Sequence, residues 1–235
     1  RCSLTIKSRG KTRNFNSGKL TPMNRALGTL LSFKICFFCL LFSPASGEER
    51  LNSNSFELYL NSIKTLKADF IQISSNGEVE TGQLLIKKPG KMRFEYDSPS
   101  NHLVMASGLL LVIIDKKLTS EPQRYLTSQT PIGYLLNETV KLTPESNLKE
   151  ILLKDSYANI LLHDPDNPTI GTIELVFSLK PMTLREWTIT NFSGERIRVL
   201  LDELTINHPI ELKYFNIGSE ISKIIASNTL VESYE

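Results

Sequence analysis

Cysteine is almost absent from this chain of 235 residues, and where it occurs it is confined to the beginning. Cys2, Cys36 and Cys39 all lie within residues 1–47, so residues 48–235 can form neither a disulfide nor a thiol nucleophile. These 188 residues are enough for a single domain with a sizeable hydrophobic core. We therefore expect residues 48–235 to fold as one domain that is held together without covalent cross-links.

The patterns of common catalytic and metal sites are missing as well. The three histidines, His102, His163 and His208, lie far apart, so none has a partner two to four residues away, as histidines in metal sites often do. The chain has no Gly-x-Ser-x-Gly nucleophile elbow and no glycine-rich phosphate-binding loop. We interpret the histidines as surface or turn residues, and we expect no enzymatic activity and no metal site. A hydrolase whose catalytic groups meet only after folding stays an alternative.

The main apolar run near the N-terminus is too short for a membrane anchor. Ile35–Phe42 has eight residues, whereas a membrane-spanning helix needs about 20. Two positive charges, Arg25 and Lys34, precede this run, and the mostly small residues 43–47 follow it. This order predicts a secretory signal peptide at residues 23–47. No cysteine follows the small residues, so we expect export without a lipid anchor.

The net charge changes sign once the signal peptide is set aside. Residues 1–22 are basic and weakly patterned, and we interpret them as a non-native or misassigned extension ahead of Met23. Residues 1–47 hold eight basic and no acidic side chains, whereas the whole chain has 27 and 25. Residues 48–235 therefore have 19 basic and 25 acidic side chains, a net charge of −6. This balance gives no support to a nucleic-acid partner, and we expect a soluble monomer.

Two kinds of hydrophobic periodicity follow along the chain. Residues 50–66 have apolar side chains at helical spacing, with Ser53 or Asn54 as the N-cap, and predict a helix. Residues 92–97 alternate instead, with one apolar and one charged face, as a half-buried strand does. Further strands are predicted at 81–87, 103–106, 109–115, 150–155, 157–163, 170–179, 183–191 and 195–206, and short helices at 130–136 and from Thr143 to about residue 149. Nine to eleven antiparallel strands with three short helices indicate a mainly β sandwich or barrel.

Several strands are apolar on both faces, which a half-buried strand does not need. The segments are 84–86, 109–114 and 199–201. Either a second layer covers the other face, or the sheet encloses an apolar cavity. Composition does not distinguish the two.

Basic residues surround the turn at Pro89 and Gly90. Lys87, Lys88 and Lys91 flank it, and Arg93 follows. The simplest interpretation is a hairpin turn that lysines keep hydrated.

Several segments together resemble the outer-membrane lipoprotein carrier proteins, the LolA family. They occur in order between about Leu51 and Leu204, and the segment after Leu204 carries no resemblance. The matching residues are Lys67-Ala68-Asp69-Phe70-Ile71-Gln72, Gly82-x-Leu84-x-Ile86-Lys87-Lys88-Pro89-Gly90-Lys91-Met92-Arg93-Phe94-Glu95-Tyr96 with Pro99, Ser107-Gly108 with Asp115, Thr130-Pro131-Ile132-x-x-Leu135-Leu136, and Leu184-Arg185-Glu186-Trp187-Thr188-Ile189 with Gly194.

The resemblance implies a fold and a function for residues 48–235. The fold is an incomplete, unclosed antiparallel β-barrel of about eleven strands under a lid of short helices. Such carriers accept acylated lipoproteins released by an ABC transporter of the inner membrane. They carry these lipoproteins across the periplasm and deliver them to an acceptor at the outer membrane. They use no cofactor. A related receptor or sensor module on the same fold is the alternative, although the lipid-attachment cysteine of an anchored receptor is missing.

The resemblance also implies a set of site residues. The inward faces of the strands would form a lipid-binding cavity from Phe70, Leu84, Ile86, Met92, Phe94, Tyr96, Trp187 and Ile189, for which ordinary core packing is the alternative. Lys88 occupies the position where many family members have an arginine that is thought to hold the lid through hydrogen bonds to helix backbone. Because lysine lacks the planar fork of arginine, Lys88 is a hypothetical lid latch of different geometry.

Overall fold

Eleven strands pair into one antiparallel sheet. The computed structural model of the protein describes residues 52–117 and 121–232, with side chains up to residue 229. The strands are β1 Thr65–Ser74, β2 Val79–Lys87, β3 Lys91–Tyr96, β4 His102–Ser107, β5 Leu110–Asp115, β6 Gln123–Leu126, β7 Leu148–Leu153, β8 Tyr157–His163, β9 Thr172–Leu179, β10 Met182–Thr190 and β11 Arg196–Ile206.

The sheet is open. Its order is β6-β5-β4-β3-β2-β1-β11-β10-β9-β8-β7, so that the first and last strands of the chain pair at its centre. The two outermost strands, β6 and β7, do not pair with each other within the described residues. The prediction of a mainly β, unclosed antiparallel fold of about eleven strands is confirmed.

Helices cover both faces of the sheet. The helices are α1 Ser53–Ser62, α2 Gly133–Leu136 and α3 Ile217–Glu232, and short 3-10 turns lie at Thr127–Gln129, Pro168–Ile170 and Leu212–Phe215. We call the face that carries Met92, Phe94 and Tyr96 the inner face, and the opposite one the outer face. Apolar residues of α1 and α2 share a buried cluster with the inner face. Apolar residues of α3 share a separate cluster with the outer face of β4 and β5.

Aromatic rings dominate the core on the inner face. The rings of Phe56 on α1 and Phe177 on β9 are 5.2 Å apart, and the rings of Phe70 and Phe94 are 4.9 Å apart. The Phe70–Phe94 pair is edge-to-face and the Phe56–Phe177 pair is tilted, and such contacts add to the burial energy of each ring. Gly82 makes room for one of them, because a Cβ at this position would overlap the Phe70 ring and the carbonyl oxygen of Glu95.

On β4 and β5, both explanations of the apolar excess hold, one on each face. Leu103 and Met105 on β4 and Val112 and Ile114 on β5 lie on the outer face and are buried in the cluster formed with α3. A second layer of the chain's own residues therefore covers that face. The alternating inner positions of the same strands line a cavity instead.

One helix prediction is wrong at its boundaries, and another is wrong altogether. The helix expected over 50–66 ends at Ser62, and β1 begins at Thr65, because Leu66 pairs with Ile86 and Ile206 as part of the sheet. The N-cap is Asn52 rather than Ser53 or Asn54, since its Oδ1 accepts a hydrogen bond from the Ser55 N–H at 3.2 Å. The helix expected from Thr143 is only a turn, after which Leu148 starts the edge strand β7.

Some predictions lie outside the described residues. These are the signal peptide at residues 23–47 and the extension at residues 1–22. Across residues 52–117 and 121–232, no helix is both long and apolar enough to cross a membrane.

Candidate functional site

An apolar cavity of about 570 Å³ lies on the inner face of the sheet. Most of its wall comes from β3, β4, β5, β10 and β11, while β1, β2 and β6 contribute one residue each and the segment 130–132 before α2 contributes one side. Pockets for small ligands typically have about 300–1,000 Å³ and mainly apolar walls with a few polar groups. The lining residues are Gln72, Glu80, Met92, Phe94, Tyr96, His102, Val104, Leu111, Ile113, Tyr125, Thr130, Pro131, Ile132, Trp187, Ile189, Asn191, Ile197 and Val199.

The structure places the eight predicted cavity residues in two groups. Met92, Phe94, Tyr96, Trp187 and Ile189 line the cavity. Phe70, Leu84 and Ile86 do not, since they belong to the packed core on the same face, with at most 4% of each residue exposed. Phe70 nevertheless supports the wall, because its ring packs edge-on against the rings of Phe94 and Tyr96.

Sequence reasoning missed the walls contributed by β4, β5 and β11. Val104, Leu111, Ile113, Ile197 and Val199 all line the cavity. The strands β4 and β5 are apolar at nearly every position, and β11 is apolar on both faces at 199–201. Periodicity alone therefore does not say which face is the inner one.

Hydrogen bonds join α1 to the segment that follows α2. The Asn61 side chain donates from Nδ2 to the Val140 carbonyl at 2.9 Å, and its Oδ1 accepts from the Val140 N–H at 2.8 Å. The Glu57 carboxylate accepts from the Leu142 N–H at 2.8 Å. We call α1, α2 and residues 137–142 the lid, because these elements are bonded to one another and pack on the inner face.

Lys88 bonds the β2–β3 turn to the lid. Its Nζ donates to the carbonyl oxygen of Leu60 at 2.9 Å, near the C-terminus of α1, where helix carbonyls lack intrahelical partners. A cation is also favoured there by the helix dipole. Next to it, the Gly90 N–H donates to the Leu136 carbonyl of α2 at 2.8 Å. Both lid helices are thus attached to a single hairpin turn.

The environment of Lys88 disfavours its charged form. Burial, and secondarily the positive charge of Lys64, lowers the pKa of Lys88 from 10.5 to about 8. The hydrogen bond to Leu60 does not depend on this charge, because a neutral amine can still donate.

A small gap separates the lid from the strands below it. It measures about 20 Å³ and is lined by residues of α1, α2, β1, β2 and β10 and by Lys88 of the β2–β3 turn. Trp187 borders both this gap and the main cavity. In this structure the lid is therefore packed closely onto the sheet, and the Trp187 side chain lies between the two spaces.

Polar groups of the cavity wall gather at one end of the sheet. Gln72 lies near the end of β1, opposite Glu80 near the start of β2, while Tyr96 ends β3 and His102 starts β4. The Tyr96 hydroxyl donates to Gln72 Oε1 at 2.7 Å, and Gln72 Nε2 donates to Glu80 Oε2 at 3.2 Å. Burial, with a contribution from the negative charge of Glu80, raises the pKa of Tyr96, so its hydroxyl stays protonated as a donor.

The described part of the chain offers no metal centre. No group of three or more His, Cys, Asp or Glu side chains in it is placed to hold an ion. His102 lies at the cavity end, with Nδ1 3.7 Å from Glu80 Oε1, whereas His163 ends β8.

Comparisons with known proteins agree with this architecture. Residues 61–218 match the family model described as outer membrane lipoprotein carrier protein LolA. The chain is 27% identical over 175 residues to an outer-membrane lipoprotein carrier protein of Coxiella burnetii (strain RSA 331), covering 66% of this chain and 77% of that one. It is 23% identical over 172 residues to the protein of that name from Pseudomonas aeruginosa (strain UCBPP-PA14), covering 66% and 78%.

A solved structure is similar as well. It is the crystal structure of a LolA superfamily protein from Nitrosomonas europaea, which is 11% identical, with a TM-score of 0.42, and the match covers 72% of this chain and 99% of that one. The family match extends over more than half of the chain and includes the strands, the lid helix α2 and most of the cavity wall. The protein therefore belongs to the LolA family of outer-membrane lipoprotein carrier proteins.

Proposed function

We propose that this protein is a periplasmic, non-enzymatic carrier of acylated lipoproteins. It would receive its cargo from an ABC transporter of the inner membrane, shield the acyl chains and deliver the cargo to an acceptor at the outer membrane. The observation that carries the proposal is the apolar cavity of about 570 Å³ on the inner face, beside a lid that hydrogen bonds attach to the sheet.

The cavity has the properties that a reversible carrier needs. Each methylene group removed from water contributes about 0.8 kcal/mol, so an acyl chain gains a large free energy from an apolar wall. Release demands that part of this gain be given up, which a lid with two positions can provide. Because Trp187 borders both the cavity and the gap under the lid, lifting the lid would join the two spaces.

Lys88 is our candidate for the latch of that lid. Its bond to the Leu60 carbonyl is one of few polar links between the lid and the β2–β3 turn, together with the bond from Gly90 to Leu136. A single hydrogen bond contributes about 1 kcal/mol of net stability, which is small enough for ligand binding to overcome.

Transfer from membranes tests the function. The purified protein would be mixed with inner-membrane vesicles that carry an acylated lipoprotein, the transporter and ATP. We expect a soluble complex of one carrier with one lipoprotein. Ile113→Arg, which puts a charge into the cavity wall, should abolish the complex, whereas Leu152→Arg on the exposed edge strand β7 should not. No complex, in an assay where a known carrier works, would contradict the proposal.

Hand-over tests the latch separately. Lys88→Leu removes the bond to Leu60 and so destabilises the closed position of the lid. Since the return of the lid to the closed position would help to release the cargo, release should become less favourable. We expect this variant to retain bound lipoprotein or to pass it more slowly to outer-membrane vesicles. Lys88→Arg, which keeps a hydrogen-bond donor at this position, should transfer lipoprotein at close to the normal rate. Normal transfer by Lys88→Leu would exclude the latch role without touching the carrier function.

A further inference from the structure

The two ends of the cavity differ in chemistry. One end adjoins the lid, where β2 ends and Lys88 contacts α1. At the other end, Gln72, Glu80, Tyr96 and His102 interrupt an otherwise apolar wall. Met92 lines the cavity near the lid and pairs with Ile86, six residues after Glu80 along β2, so roughly 20 Å separates the two ends.

A chain of two hydrogen bonds at the polar end leads to Glu80. Tyr96 donates to Gln72, and this bond directs the Gln72 amide so that its Nε2 donates to Glu80. An ionised carboxylate has about four acceptor positions, and Gln72 uses one of them. His102 Nδ1 is 3.7 Å from the other oxygen, beyond hydrogen-bond distance. Glu80 is thus a terminal acceptor with capacity for further donors.

Glu80 is also shielded but accessible. Its side chain is 18% exposed, whereas that of neighbouring His102 is 56% exposed, so the polar end reaches the solvent. Asn191 lies at the same end but is occupied, because its side chain bonds to Glu195 and Ser193 in the β10–β11 turn. A ligand that fills the apolar cavity and continues into water at this end would pass the Glu80 carboxylate.

We infer that the polar end holds the peptide end of the acylated cargo, with Glu80 as the acceptor for its backbone N–H groups and a determinant of cargo preference. The inference rests on the proposed carrier function. The acyl chains would point from Glu80 toward Ile132 and the lid, and the polypeptide would leave beside His102. A carboxylate at the exit favours N–H and ammonium donors and repels carboxylates. Cargo with lysine after the acylated residue should therefore bind more tightly than cargo with aspartate.

Site-directed cross-linking tests the orientation. Residues 48–235 contain no cysteine, so single-cysteine variants of the mature protein give unambiguous products. Asn101→Cys places a thiol at the polar end, and the matched Asn137→Cys places one in the lid. The probe is a triacylated cysteine peptide with a bromoacetyl group on a lysine at its fourth residue, and the same peptide without acyl chains corrects for intrinsic reactivity. We expect the corrected rate to be about tenfold higher at Asn101→Cys, because tethering raises the local concentration there.

Affinity measurements test the role of Glu80. Triacylated peptides with lysine or aspartate as the second residue would be titrated against the protein at low salt. The native protein should prefer the lysine peptide by about fivefold, as expected for one partly exposed charge pair. Glu80→Gln should reduce the ratio to about one, and Glu150→Gln, a loss of the same charge on β7, should leave it unchanged. The ratio compares two ligands on one variant, so a general loss of folding would not imitate the result.

The outcomes separate the inference from the proposed function. If neither acylated peptide binds, carrier function and inference fail together. If both bind but the label goes to Asn137→Cys, or the preference persists in Glu80→Gln, the carrier function stands and the inference is wrong.

Discussion

The two faces of β4 and β5 are both mainly apolar but have opposite surroundings. On the outer face, Leu103, Met105, Val112 and Ile114 are at most 1% exposed beneath α3. On the inner face, alternating residues of the same strands border the cavity of about 570 Å³. The chain thus covers one apolar face with its own helix and leaves part of the other uncovered.

This difference separates stability from function within single strands. Buried side chains on the outer face have neighbours on all sides, so each lost methyl group leaves a void. Side chains on the inner face already adjoin open space, where a ligand can replace the missing contacts. We expect mutations on the outer face to change mainly the free energy of unfolding, and mutations on the inner face to change mainly ligand binding.

Truncation of neighbouring residues should show the largest contrast. Met105→Ala on the outer face removes a fully buried side chain and should lower the free energy of unfolding by about 3 kcal/mol. Val104→Ala beside it, on the cavity wall, should cost about 1 kcal/mol or less, because the cavity is already there. Urea denaturation of both variants checks this. Equal costs per methylene group removed would mean that the cavity wall is as tightly packed as the outer face.

Enlargement of side chains sharpens the same contrast. Val112→Phe would overpack the interface with α3 and should cost about 2 kcal/mol. Val104→Phe has space in the cavity and should leave stability within about 1 kcal/mol, while lowering the affinity for a triacylated peptide because it occupies ligand volume. Thermal denaturation and peptide titration of the pair measure both effects. Full peptide affinity in Val104→Phe would place the ligand elsewhere.

An ion pair fastens the helix that covers the outer face. Arg93, which is 7% exposed, donates to Glu220 on α3 at 2.8 Å and to Glu95 at 2.8 Å. Burial alone would lower the pKa of Arg93, but the hydrogen bonds to Glu95 and Glu220 outweigh it, and the net shift is upward. A double-mutant cycle with Arg93→Met and Glu220→Gln should give a coupling free energy of about 1.5 kcal/mol. A coupling near zero would show that this ion pair does not help to hold α3 on the sheet.

The smallest expected effect is a pH dependence at the lid. Between pH 8 and 10.5, folded Lys88 has lost its proton while the unfolded chain still holds it, so stability rises with pH over this window. Below about pH 8 both states are charged, and the folded state carries the penalty of burial. The free energy of unfolding of the native protein minus that of Lys88→Met should therefore rise by up to about 1 kcal/mol from pH 7 to about pH 10. This figure allows for solvent screening, because Lys88 is only half-buried. A flat or falling difference in denaturation experiments would contradict this.

Local sequence patterns identified most strands of the sheet but only part of the site. The alternation in residues 92–97 predicts β3 and its apolar face, and Met92, Phe94 and Tyr96 do line the cavity. Periodicity is less informative at Leu66, which suits the end of a helix or the start of a strand until its partners Ile86 and Ile206 decide. Periodicity gives no signal for β6, because all four of its residues are exposed and no alternation marks a buried face.

Local hydrophobic patterns are enough to specify a mainly β domain whose strands carry more apolar surface than one face requires. The face that α3 covers is set by the folded chain, because docking depends on contacts such as that between Arg93 and Glu220, 127 residues apart. The folded chain also determines that Lys88 meets Leu60 and that Glu80 receives the bond from Gln72. Hydrophobic pattern specifies how much surface must be buried, whereas the partner that buries it is chosen by long-range packing, which no local segment encodes.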